Sequence, residues 1–112
     1  MTSKRQENLR FKEEKEKEQR EEERLHLLQK SKNILVEEFK GTDVEVYLVG
    51  SILKQSQFSS RSDIDIVLKN FHGDRFEIWS RLEHKIGRTV EIIVFETCRF
   101  QDFILKEGLK VT

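Results

Sequence analysis

The amino-acid sequence predicts a small α/β (α+β) domain, with a mixed sheet of three strands or slightly more, flanking helices and a charged N-terminal helix. Three observations predict it. Apolar residues recur at helical spacing from Leu25 to Phe39. Three short runs, "VEVYLV", "DIDIVLK" and "TVEIIVF", are rich in β-branched residues and read as strands. Glycine and polar turn signals separate them, with helical patterns between.

The elements follow in order. From Ser3 to Arg24 the chain is almost entirely charged or polar, interrupted only by Leu9 and Phe11. Pairs such as Glu13–Lys17 and Glu16–Arg20 set an acid four residues before a base, the order that supports a helix. Apolar residues at heptad spacing are missing from Lys12 to Arg24, which excludes a coiled coil there and predicts a solvated helix or a tail. Residues 1–24 are therefore expected to form a charged extension and residues 25–112 one domain.

In that domain Leu25, Leu28, Leu35 and Phe39 make a helical stripe widened by Leu27, Ile34 and Val36, and Gly41 stops it. Val44 to Val49 is the first strand, ended by Gly50–Ser51, with a short helix expected through Gln57. "SSRS" is a loop, Asp63 to Lys69 the second strand and "NFHG" a turn. Asp74 to Lys85 reads as a helix with Phe76, Trp79, Leu82 and Ile86 on one side, ended by Gly87. Thr89 to Phe95 is the third strand. Phe100, Phe103, Ile104 and Leu105 predict a closing helix stopped by Gly108.

Composition narrows the function. The 21 basic and 21 acidic residues cancel, so there is no general pull toward nucleic acid or an anionic membrane, and direct nucleic-acid binding is not expected. No apolar run approaches a membrane span, and "MTSKRQENLR" lacks the apolar core of a secretory signal. Cys98 is the single cysteine, which suits a reducing cytoplasm, and nothing beyond Arg99 would activate its thiol. His26, His72 and His84 are scattered, without metal-ligand spacing.

The second strand carries the chemical signal. Asp63 and Asp65 fall on one strand face, with Ile64 and Ile66 on the other. Adjacent carboxylates repel, and a divalent cation between them makes the arrangement favourable; oxygen ligands of this kind suit Mg²⁺. Gly50–Ser51 closes the preceding strand, where a glycine lets backbone approach a ligand and a helix start offers N–H groups to phosphate. Lys54, one turn on, would add positive charge. Glu91 is the acid in the interior of the third strand and the candidate third carboxylate; Glu96, an odd number of residues away, would face the other side.

With those residues in place, "GSILKQSQFSSRSDIDIVL" resembles the signature of the DNA polymerase β-like nucleotidyltransferases. More narrowly, the chain is similar to the minimal nucleotidyltransferases (MNT proteins) that act as antitoxins beside HEPN-domain toxins. Gly50, Ser51, Ser62, Asp63 and Asp65 match the motif, and "FILKEGLKV" resembles the closing helix and glycine turn. The segment from Ile52 to Ser62 is one residue longer than the family's usual spacing, and "SQFSS" is the loop that would absorb it. The usual third acid is aspartate; here it is Glu91.

The resemblance implies the polymerase β-like fold and Mg²⁺-dependent transfer of AMP from ATP to a hydroxyl, with a tyrosine of a HEPN toxin as acceptor in a hetero-oligomer. Gly50, Ser51, Lys54 and Ser62 would hold the nucleotide, and Asp63, Asp65 and Glu91 two metal ions. Two other readings stand beside it: a degenerate fold that neutralises its partner by binding alone, and a helical adaptor using Ser3 to Arg24.

Overall fold

The computed structural model describes residues 4–112, and side-chain surroundings from residue 10 onward. Ser3 and the side chain of Leu9 thus lie outside the described residues. Among the described residues, three α-helices and a four-stranded sheet are formed: α1 (Lys4–Glu38), β1 (Glu45–Val49), β2 (Ile64–Lys69), α2 (Arg75–Ile86), β3 (Val90–Val94), α3 (Gln101–Glu107) and β4 (Leu109–Lys110). The sheet order is β3-β2-β1-β4; β1 runs antiparallel to both β2 and β4, and β2 parallel to β3.

Alternation along the strands sorts two cores. Val46, Leu48, Ile64, Ile66, Leu68 and Val90 face α1 and α2 and bury against Leu35, Phe39, Ile78, Leu82 and Ile86. Tyr47, Val49 and Val67 face the other way and meet Phe95 and Ile104. This second core is smaller, because only the short α3 and a turn at Phe95–Thr97 cover that face. The sheet's other face therefore has room for a site beside Val49.

The helix α1 is continuous across residues 24 and 25. Residues 10–20 are exposed, as their composition dictates, whereas Leu35 and Phe39 are buried. Glu38 ties the end of α1 to α2, with Lys85 donating to it at 2.7 Å and Arg81 donating alongside. Asp74 caps α2 by accepting from the N–H groups of Phe76 and Glu77, and Gly87 ends it in the left-handed conformation.

Several expectations change. The helix expected from Ser51 through Gln57 is one 3-10 turn, Gly50–Leu53, because Ile52 must drop into the core there. A fourth strand follows Gly108: Val111 donates to the Val46 carbonyl at 2.7 Å, so β1 gains an outer neighbour. Its two residues are too short to show a period of two. Leu25, Val36 and Phe76 do not join the buried stripes, and Ile78 takes the core position on α2. On α3 only Ile104 is buried; Phe100, Phe103 and Leu105 are exposed. Among the described residues, no helix is long and apolar enough to cross a membrane.

Candidate functional site

Strand register gathers the site. Val49 pairs with Asp65, and Asp65 pairs with Glu91, so the three residues form one row on one face across β1, β2 and β3. Gly50 follows Val49 directly and has φ of 84°, a conformation that side chains disfavour. A Cβ at Gly50 would also collide with the Asp65 carboxylate. The residue is therefore fixed by two constraints: the turn's backbone and the acid lying against it. The paired-acid strand and the glycine–serine turn are thus immediate neighbours.

Asp65 is half-buried, and burial is the main influence pushing its pKa up to about 6. The Glu91 carboxyl adds to this, through its charge and by lying close enough to share a proton, and the charge of Asp63 adds further. None of the ion pairs among the described residues includes Asp63, Asp65 or Glu91. Among the described residues, no direct ion pair therefore relieves the repulsion within the row.

Asp63 is exposed, just before β2 begins, and with Glu91 it lines an open groove of about 530 Å³. Arg75, Phe76 and Trp79 of α2 form its opposite wall. Among the described residues, no three Asp, Glu, His or Cys side chains converge as a ready-made metal ligand set. The close pair is Asp65 and Glu91, with Asp63 near enough to act on Asp65 by its charge. Glu96 belongs elsewhere, since it accepts from the Asn70 N–H beyond the far end of β2.

The remaining sequence candidates separate. Ser51 is half-buried in the turn, and its carbonyl accepts from the Lys54 N–H at 3.0 Å. Lys54 is exposed at the end of that turn and is not part of the acidic row. Ser62 turns its hydroxyl into its own loop, accepting from the Ser59 N–H at 3.0 Å.

Two arginines that the sequence did not single out hold the surroundings. Arg24 is buried; it donates to the Ile52 carbonyl at 2.8 Å and through Nε to Glu21 at 2.9 Å. It thus pins the Gly50–Leu53 turn to α1. Arg88 donates to the Ser62 carbonyl at 3.2 Å and lies 4.5 Å over the Phe58 ring, fixing the loop that precedes Asp63. Arg24 sits in a run of charges that look alike in sequence, and Arg88 in a loop, so neither carried a signal. Trp79 donates to the Val90 carbonyl at 2.8 Å, joining the groove wall to the start of β3.

Comparison with family models, curated proteins and solved structures found no match for this chain.

Proposed function

We propose that the chain has the polymerase β-like fold and is a Mg²⁺-dependent nucleotidyltransferase. It would transfer AMP from ATP to a hydroxyl, with a tyrosine of a HEPN-type toxin as acceptor and antitoxin activity as the result. The observation that carries this reading is the row Val49–Asp65–Glu91, with Gly50 packed against the Asp65 carboxylate.

A cation would relieve the repulsion between the close pair Asp65 and Glu91, with Asp63 near by. Asp65 holds its proton up to about pH 6 because burial, Glu91 and Asp63 all disfavour its charge, and among the described residues no ion pair offsets them. Magnesium, when bound by Asp63, Asp65 and Glu91, would neutralise triphosphate charge and acidify the attacking hydroxyl. Gly50, lacking a side chain, lets backbone and triphosphate meet next to Asp65, with the Ser51 hydroxyl as a further donor. Where it does not ligate the ion, Glu91, exposed at the groove, would instead accept the acceptor's proton as the acceptor oxygen bonds to the α-phosphorus. The bond from the α-phosphorus to the bridging oxygen breaks, and pyrophosphate leaves.

The test is direct. Purified protein with Mg²⁺ and ATP labelled at the α-phosphate is incubated with the toxin, and label is sought on the toxin by mass spectrometry. Label dependent on Asp63 and Asp65 supports the reading; its absence under saturating nucleotide rejects it.

A second reading, neutralisation by binding alone, is favoured by one observation: the acids do not converge as a ready-made ligand set. On that reading Asp63→Asn and Asp65→Asn would leave toxin rescue undiminished.

A further inference from the structure

We infer that the outer edge of β3 is a docking site for an extended segment of a partner protein. That segment alternates apolar residues with basic or hydroxyl-bearing ones, and so brings a hydroxyl beside Asp63 and Glu91. The inference rests on the transfer reading for what happens to the hydroxyl, but the docking stands on its own geometry.

The strand β3 lies at one end of the sheet, with β2 as its single neighbour. Ile64 donates to the Thr89 carbonyl at 2.9 Å, and Ile64 pairs with Val90. In a parallel pair of that register, residues 89, 91 and 93 turn their backbone groups toward β2, and residues 90, 92 and 94 turn theirs outward. Val90 is already satisfied: its N–H donates to Glu83 at 2.8 Å, and its carbonyl accepts from Trp79 at 2.8 Å. For Ile92, neither the N–H nor the carbonyl meets a bonding partner among the described residues. The run "VEIIV" has no lysine and no proline, and Glu91 is its single charge.

Unpaired backbone groups of this kind select an extended chain as occupant. The two faces of β3 select its side chains. On the α2 side, Ile92 and Trp79 are partly exposed and Phe76 is 74% exposed, a wall suited to apolar residues, with the exposed Arg75 also lining the groove. On the other side stands Glu91, with Asp63 at the groove's end, both exposed and outside every ion pair among the described residues. Basic or hydroxyl-bearing residues complement that acidic side. Because side chains of an added strand alternate between the same two faces, a segment with this alternating pattern meets both at once.

The probe is a short synthetic peptide alternating valine with lysine around one central serine, titrated into the isotope-labelled full chain. The expected result is saturable binding, with shifted and slowly exchanging amides at Ile92 and Val94. Replacing the lysines by glutamates weakens binding about tenfold or more, and methylating alternate backbone nitrogens of the peptide removes it. At the backbone Ile92→Pro deletes only an outward N–H, which an edge strand tolerates; Ile92→Ala trims the same side chain but keeps that N–H, so a folded Ile92→Pro chain loses the peptide while Ile92→Ala keeps most of its affinity. Asp65→Asn leaves peptide binding intact while removing magnesium-dependent stabilisation, so failure of the docking and failure of the transfer chemistry are read separately. No binding, perturbation confined to other strands, equal affinity for the glutamate peptide, or full affinity in folded Ile92→Pro overturns the inference. So does a concentration-dependent homodimer that buries the Ile92 amide, because a second copy would then occupy the edge.

Discussion

Asp65 and Glu91 stand directly opposite one another on parallel strands, with Gly50 closing over the Asp65 carboxylate. This single relationship sets the electrostatics of the site. Burial raises the proton affinity of Asp65, and the second acid keeps it raised.

The pH dependence of stability follows from that shift. The folded pKa of Asp65 is raised from 3.8 to about 6. Its stabilising contribution is therefore fully present below the unfolded value and is lost as pH rises through the folded one. Near neutrality Asp65 burdens the fold, so Asp65→Asn should stabilise by about 1–2 kcal/mol, discounted for the group's partial exposure. Urea unfolding of both proteins at acidic and neutral pH measures the difference. A neutral-pH stability lower in Asp65→Asn than in the parent would contradict this account.

Magnesium should reverse that burden. At ten times its dissociation constant the ion should stabilise the parent by about 1.4 kcal/mol, and chelation should undo the gain. Thermal melts of the parent and Asp65→Asn with and without Mg²⁺ check it; an equal rise in both proteins would place the ion elsewhere.

Gly50→Ala combines a left-handed backbone with a collision at Asp65. A loss of about 1–3 kcal/mol is expected, together with loss of nucleotide binding. Calorimetric titration with Mg²⁺–ATP, alongside a denaturation curve, reads both. An alanine variant as stable as the parent would show that the turn tolerates a side chain.

Arg24→Ala should cost about 1–3 kcal/mol by orphaning the Ile52 carbonyl and the Glu21 carboxylate. Arg24→Lys should recover only part of it, since one ammonium lacks the fork that reaches both acceptors. Hydrogen exchange at Leu53 and Lys54 reports whether the turn loosens; unchanged exchange in Arg24→Ala would deny Arg24 its pinning role.

Glu38→Gln should destabilise the α1–α2 junction by about 1–3 kcal/mol, because Arg81 and Lys85 both donate to this carboxylate. The loss should shrink at high salt only in part, as the Glu38 side chain is 7% exposed. Chemical denaturation at low and high ionic strength measures it.

What was legible in the sequence is what has a period or a punctuation mark. The alternation in "DIDIVLK" set Asp65 opposite the Ile64 and Ile66 core face, whereas the register that joins it to Glu91 is a pairing between separate strands that no local pattern encodes. Glycines marked the ends of β1 and α2 because both need left-handed backbone there. Phe76 misled because its helical spacing matched Trp79, yet Ile78 reaches the core one residue before it. The segment after Gly50 looks like a longer helix than its single 3-10 turn because Ile52 and Leu53 suit a helix, while the core's demand on Ile52 is not a local signal. The strand β4 and the Arg24 anchor depend on contacts between distant segments, which no local pattern encodes.

The short β4 has a consequence for assembly. It seals the far side of the sheet with two residues, one of them Lys110, whose ammonium is held by Glu45 at 3.0 Å. If β3 accepts a strand as inferred above, this two-residue, lysine-bearing border would not pass the pairing on, and addition would stop at one neighbour.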